Sequence, residues 1–507
     1  MLQTKENKPG SPVKNEFAGE PVAVKFAKDD PDSPTEGWSK WKRYRALALG
    51  LCVAYVSAFN ASGNGAASAG FRADHPSVDS TTFQVSSFTY LAMLGLGPLI
   101  LAPVSETFGR RPQIVICSFI ITVLFLGMAL APNFACLAIC RWIQGTAACI
   151  EGPTAAGVVA DLFEKRRRGP QMSLFVLTIF TANATGPLCC NWIAQCLGWH
   201  WVYWVQMISN GVVFLLVLFF FPEPRADVIL GKRAKRLQQE TGRPHFVEGA
   251  DHFEGWFDAL KISCSRPLLY LFTEPIVAAL SLWVGLAWGS VFLLIGSVAH
   301  VMEETYGFSQ GQAGTVLICG FIGAAFSCIA YNTVWERLYR RALVKGGGKA
   351  KPEIRLHPAA LGSICFSVGC FFFAWTAREW IHWIVPCIGL CILNYGIYNI
   401  YLATYLYLAD AYDRYSSSAQ ASQGLLRNLL GATFPFFGVK MYDKLGFPWA
   451  STLMGFLAGA FAIVPFVIIY YGAALRARSK VARAMEQHEG DILSDEPSPN
   501  MTEVQMP

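Results

Sequence analysis

The sequence predicts an all-α integral membrane protein: twelve transmembrane helices in two six-helix bundles. Three observations predict it. Hydrophobic residues fill 53% of the 507 positions, charged residues only 15%, and mean hydropathy is +0.36, whereas a soluble chain carries about a quarter charged residues. The apolar residues come in runs of about 20 or more, enough to cross a bilayer core. Lys and Arg are segregated to one side of those runs.

Taken in order, residues 1–43 are polar, with Lys, Pro, Asp and Glu and no signal-type apolar core, and read as a disordered cytosolic tail. Apolar runs follow at 45–66, 83–103, 112–132, 135–162, 171–196 and 199–221, making an N-terminal bundle over 44–221. The longest connection, 222–267, is polar and charged and reads as a cytosolic central loop. A C-terminal bundle over 268–471 takes the runs at 268–299, 312–334, 357–377, 380–408, 418–439 and 449–471, and 472–507 is a second cytosolic tail.

Placing the first tail in the cytosol puts 35 of the 41 Lys and Arg on that side, the bias that sets orientation. Arg72, Arg378, Lys440 and Lys444 fall outside, and Arg141 and Arg427 lie within spans. The net charge of +6 therefore calls for no nucleic-acid partner; the partner is the lipid bilayer. Of the fifteen cysteines most sit in apolar runs with no C-x-x-C pair, as small hydrophobes. No metal, cofactor or catalytic constellation stands out, so no enzyme is expected.

A short echo links the halves. Glu106, Arg110 and Arg111 in the 2–3 loop recur as Glu336, Arg340 and Arg341 in the 8–9 loop, offset by 230. Parallel repeats of this kind occur in transporters, and these six residues form a candidate inner gate.

Ionisable residues inside hydrocarbon are functional candidates. At 100° per residue Arg141, Gln144, Ala148, Glu151 and Ala155 share roughly an 80° arc of span 4, a stripe expected to face a polar cavity. Glu151 lies near mid-membrane before Gly152-Pro153, where hydrocarbon penalises its charged form and proton loading is open to it. The plainer alternative makes Arg141 and Glu151 structural partners of other helices. Span 11 aligns Gln423 and Arg427 with Gln420. Span 10 aligns Asn394, Tyr398 and Tyr401, and span 1 carries Asn60. Rings with polar tips suit an amphipathic ligand, although interfacial belts use the same residues. These give a candidate substrate cavity of Asn60, Gln144, Asn394, Tyr398, Tyr401, Gln423 and Arg427.

The stretch Ala102-Pro103-Val104-Ser105-Glu106-Thr107-Phe108-Gly109-Arg110-Arg111-Pro112 resembles the gating-loop motif of the major facilitator superfamily, and more narrowly its fungal twelve-span drug:proton antiporters. Arg141-Trp142-Ile143-Gln144-Gly145 is similar to the span 4 motif whose Arg is associated with proton coupling. Gly186-Pro187 resembles the antiporter motif of span 5, although Cys189-Cys190-Asn191 replace the usual small residues. The resemblance spans about 44–480. It implies a proton-coupled exporter of a drug or other amphipathic small molecule, with Arg141 and Glu151 in coupling. It also implies a monomer in the plasma membrane with both termini cytosolic. The alternatives are a dedicated exporter of one organic acid or secondary metabolite, and a nutrient sensor on the same fold.

Overall fold

The computed structural model describes residues 22–27, 30–164, 167–247, 256–347, 350–412 and 416–478; of 102–108, 256–259, 262 and 439 it describes the backbone only. Twelve spans are present among the described residues. Span 1 is Lys40–Gly63, carried on by a 3-10 turn and Ser68–Asp74; spans 2 and 3 are Ser80–Phe108 and Arg110–Ala129. Span 4 is split into Phe134–Ala148 and Glu151–Leu162, and spans 5 and 6 are Arg168–Leu197 and Trp199–Phe220. In the second half, span 7 is Pro275–Tyr306 and span 8 runs in pieces from Gln310 to Lys345. Spans 9, 10 and 11 are His357–Thr376, Ile384–Ala411 and Ser416–Leu445. Span 12 comprises Phe447–Phe461 and Ile463–Arg478.

Ten of these helices are long and apolar enough to cross a membrane by composition alone. The other two are spans 4 and 11, and each has a local reason. Pro153 has no N–H to donate to the Cys149 carbonyl four residues earlier, and its ring crowds that carbonyl. The helix breaks at Cys149–Ile150 and restarts at Glu151, so the two segments are short. Span 11 opens on Ser416, Ser417 and Ser418 and carries Gln420, Gln423, Arg427 and Asn428, which lowers its hydropathy.

Two expectations change. The tail and central loop are not wholly irregular. Ala226–Thr241 forms an amphipathic helix whose Leu230 and Ala234 are buried against Val24. Val22–Val24 pairs in parallel with His245–Val247, and Arg233 holds Asp30 in an ion pair. The Arg233 hydrogen bond, with the Asp32 N–H, keeps the Asp30 carboxyl below its ordinary range. Neither segment alone carries an apolar run, which is why the pattern hides the contact. Residues 1–21 and 479–507 lie outside the described residues.

Within each half the helices close on one another through small residues, as membrane bundles do. Spans 9 and 10 meet along Gly362, Gly369, Gly389 and Gly396. A Cβ on Gly396 would stand 2.5 Å from the Phe366 amide nitrogen, and one on Gly389 2.9 Å from that of Phe373. By contrast Gly296 in span 7 faces open space.

Gly396→Val should therefore cost about 1–3 kcal/mol of stability, the usual range for overpacking, while Gly296→Ala should be neutral or gain up to about 1 kcal/mol from helix preference. Thermal melts of the two purified variants in detergent, followed by monodisperse peak height, check the contrast.

Candidate functional site

Between the halves lies a cavity of about 430 Å³. Spans 1, 2, 4 and 5 line it from one side and spans 7, 10 and 11 from the other. At one end it reaches Arg110, Arg225, Asp410 and Ser416, which are the ends of spans on the face where span 1 begins and span 12 ends. That face is termed the tail face.

Toward the opposite face the cavity is sealed by span 5 against span 8. Trp192 Nε1 donates to Thr315 Oγ1 at 2.9 Å, and the Gly311 N–H donates to Gln195 Oε1 at 2.7 Å. Gln310 Nε2 donates to the Asn191 side chain at 3.1 Å and to the Ala66 carbonyl at 3.0 Å. The Gly186-Pro187 pair sits in this seal. Gly186 admits Ser62 and the Phe59 carbonyl of span 1, and Gly314 admits the Pro187 carbonyl, where a Cβ would stand 3.0 Å away. At mid-depth the Asn428 amide donates to the Leu94 carbonyl at 3.1 Å, joining spans 11 and 2.

Of the residues assigned to the substrate cavity, Tyr401, Gln423 and Arg427 line it. Arg427 Nη1 donates to the Tyr401 hydroxyl at 2.7 Å, and its guanidinium lies 5.4 Å from the Trp288 ring and 5.2 Å from that of Tyr401. Asn394 lines a separate small cavity toward the sealed side, shared with Asn183. Tyr398 does not line the cavity; it ties the halves together, donating to the Ser173 carbonyl at 2.7 Å with Ser173 Oγ 2.8 Å away.

Asn60 and Gln144 are likewise structural in placement. Asn60 and Asn210 exchange side-chain hydrogen bonds at 3.0 and 3.1 Å between spans 1 and 6. Gln144 accepts from Arg141 and donates to the Ile121 carbonyl, each at 3.3 Å. Arg141 is fully buried, donates to the Asn60 carbonyl at 3.2 Å and lies 4.2 Å above the Tyr90 ring. The stripe on span 4 thus faces the interior of the first bundle rather than the cavity. Its period is that of a helix, but the neighbours that fill the face come from spans 1, 2 and 3.

Glu151 is also buried. One oxygen accepts from Ser118 Oγ at 3.2 Å and the other has no hydrogen-bond partner. Its neighbours Ile150, Gly152 and Pro153 line the cavity while Glu151 does not. The carboxyl is therefore adjacent to the cavity wall without being part of it. Arg141 and Glu151 share no ion pair, and two nitrogens of Arg141 are unpartnered.

At the tail face the gate residues divide. The Glu106 side chain lies outside the described residues. Arg110 pairs with Asp161 at 2.5 Å, from the start of span 3 to the end of span 4. Glu223 caps span 3, its two oxygens accepting the Arg110 and Arg111 backbone N–H at 3.1 and 2.9 Å, a carboxylate at a helix N-terminus. Glu336 binds Arg340 on its own helix at 3.1 Å, and Arg341 makes no ion pair among the described residues.

The position held by Arg110 in the first half is taken in the second by Arg355, at the start of span 9. Arg355 pairs with Asp410 at the end of span 10 at 3.0 Å and with Glu336 at 3.3 Å. The structural repeat is thus Arg110–Asp161 with Arg355–Asp410, and the offset-230 echo misplaces the arginine. Span 8 runs on past a π-turn at Tyr331–Trp335 to Lys345, so its Arg pair belongs to a helix extension. Sequence reasoning passed over Arg355; the signal was an Arg one turn before an apolar run.

A sequence model of the Major Facilitator Superfamily matches residues 47–435. The chain is 32% identical to the MFS transporter cpaT of Aspergillus oryzae, over 92% of this chain and 94% of the relative. It is 34% identical to the MFS-type efflux pump MFS2 of Trichophyton rubrum, over 91% of this chain and 78% of the pump. With the multidrug transporter mdrA of Aspergillus fumigatus it shares 33%, over 96% and 81%. Among solved structures it resembles a partially occluded inward-open form of the xylose transporter XylE from E. coli. The TM-score is 0.58 at 14% identity, over 85% and 99% of the two chains. The human organic anion transporter MFSD10 also gives 0.58, at 17% identity, over 83% and 99%. At such identities the structural likeness speaks for the fold alone.

The geometry predicts one-sided access. A cysteine at Gly424, which lines the cavity and has nothing near its Cβ direction, should react with a membrane-impermeant thiol reagent only from the tail face. Adding Gly314→Leu, which collides with Asn191 and the Pro187 carbonyl, should open reaction from the other face. Peptide mass spectrometry at position 424 in oriented vesicles reads both; equal labelling from the two faces of the single variant would contradict the sealed geometry.

Proposed function

Since this chain belongs to the major facilitator superfamily, we propose that it is a secondary transporter that exports an amphipathic organic compound from the cytosol in exchange for protons. The observation that carries this is a cavity between two six-helix bundles, open on one face and closed on the other by hydrogen bonds that can be exchanged. The names of its relatives, efflux pump and multidrug transporter, support export. The Lys and Arg asymmetry supports placing the tail face in the cytosol. The plasma membrane and a monomeric state are carried as part of the proposal.

In the cycle proposed here, the substrate enters from the tail face and rests against Trp288, Tyr401 and Arg427. Closing the tail face brings the charged ends of spans 2–4 and 8–10 together while span 5 parts from span 8. Glu151 is the coupling carboxyl. It borders the cavity without lining it, so a small helix adjustment at the Cys149–Ile150 break is enough to open it to water. In its neutral form it sits in the bundle at little cost; ionised there it carries the full desolvation penalty. Arg141 is the fixed cation of the same bundle and biases that equilibrium from a distance.

Two experiments test this. Deleting the gene in its host should either sensitise cells to several unrelated toxic compounds or remove one compound from the medium. The first outcome marks a multidrug exporter and the second a dedicated one, whereas unchanged tolerance and medium would remove the case for export. For coupling, Glu151→Gln should express normally and still bind substrate. It should lose accumulation driven by a pH gradient in inside-out vesicles, by about tenfold or more. A variant that keeps full gradient dependence would exclude Glu151.

A further inference from the structure

We propose that the floor of the cavity is a carboxylate site, so that the compounds moved are amphipathic organic anions; this deepens the export reading and rests on it. The argument starts from the partners of each cation that lines the cavity. Arg110, Arg225 and Arg355 are ion-paired to Asp161, Asp227 and Asp410. Arg168, the fifth, donates to the Phe163 and Ala160 carbonyls at 2.9 and 2.8 Å; Arg427 has no acidic partner among the described residues. An intramembrane guanidinium without an anion is expensive, and a ligand that brings the anion recovers that cost.

Its hydrogen-bonding state leads to the same conclusion. A guanidinium carries five N–H donors in a planar fork. Here Nη1 serves the Tyr401 hydroxyl, and Nε is buried with no acceptor. Trp288 and Tyr401 stack on each other with centroids 5.3 Å apart, and the guanidinium lies beside the pair; its remaining donors suit a carboxylate, a partner that Arg binds strongly. Across the cavity, on span 5, Asn183 is 6% exposed and neither of its side-chain polar atoms has a partner. It offers a second, neutral donor to the same ligand.

The acids are placed so as not to favour a cation. Glu151 is turned into the first bundle toward Ser118. Asp410, the one acid lining the cavity among the described residues, is at the mouth and engaged by Arg355 at 3.0 Å and Tyr339 at 3.3 Å. An organic ammonium at the floor would meet Arg427 with no counter-charge. A carboxylic acid is ionised near neutral pH, its group titrating near pH 4, and in that form does not cross hydrocarbon unaided, so a carrier is required.

The test compares two probes with one aromatic body and opposite heads: radiolabelled 1-naphthaleneacetate and 2-(1-naphthyl)ethylammonium, binding to the purified full chain in nanodiscs. The anion should bind about tenfold or more tighter than the cation, the scale of one charge-assisted hydrogen bond. Arg427→Gln should abolish that ratio and Arg427→Lys keep part of it. The ratio within one protein separates lost selectivity from lost folding. A cation that binds as tightly, a ratio unchanged in Arg427→Gln, or no saturable binding of the anion would each overturn the proposal. Gradient-driven uptake of the two probes into vesicles then separates the readings. Cation uptake without anion binding leaves export standing and removes the carboxylate site. Anion binding without gradient-driven flux of either probe leaves the site and removes proton-coupled export.

Discussion

Hydrocarbon offers no partner to a polar group, and most of this structure follows from that. Each backbone N–H and C=O must be satisfied inside its own helix, so the chain becomes a set of rods, and the break in span 4 falls at the cavity. The same demand acts on side chains. Asn60 finds Asn210, Arg141 finds a carbonyl and a ring face, and Tyr398 finds Ser173 in the other half. Buried polar atoms without a partner also occur elsewhere in the bundles, but some of them share a location. Arg427 Nε, Asn183 and one oxygen of Glu151 lie along or beside one cavity, at the place where a ligand or a proton can supply what the protein does not.

The break in span 4 links this economy to mechanism. Pro153 removes one donor from the helix, and the two residues at the break, Cys149 and Ile150, line the cavity wall. Glu151 follows directly as the first residue of the new segment. A carboxyl at the start of a helix has the partial positive charge of that terminus at its back and Ser118 in front. It is thus held at the boundary between the packed bundle and the cavity, the placement on which its proposed coupling role rests.

How much of this the sequence disclosed depends on the range of the interaction. The spans were legible because an apolar run long enough to cross a bilayer is a local property, and so was the side on which Lys and Arg gather. Period also put Arg141 and Gln144 on one face, and they do bond. Period could not say what that face meets, because Asn60 and Asn210 lie 150 residues apart, and the stripe turned out to face the bundle. The tail-face repeat failed for a related reason. Short similarity favoured Arg340 and Arg341, whereas the geometry turns on which arginine begins a helix beside which aspartate. The π-turn that carries span 8 past its expected end moved that role to Arg355. Contacts between segments with no apolar run, such as Val22–Val24 with His245–Val247, leave no pattern to read.

The two ends of the cavity are built of different chemistry. Every hydrogen bond described between span 5 and span 8 in the seal opposite the tail face joins neutral groups: indole, hydroxyl, amide and backbone. The tail-face ends are organised by carboxylates and guanidiniums. On the orientation proposed above, the latch built of neutral groups confronts the medium, whose acidity and salt content an organism does not govern. The ionic end confronts a buffered interior. Swings in external acidity would then reach the carrier as thermodynamic drive, through the proton it takes up, without also loosening the door through which its cargo leaves.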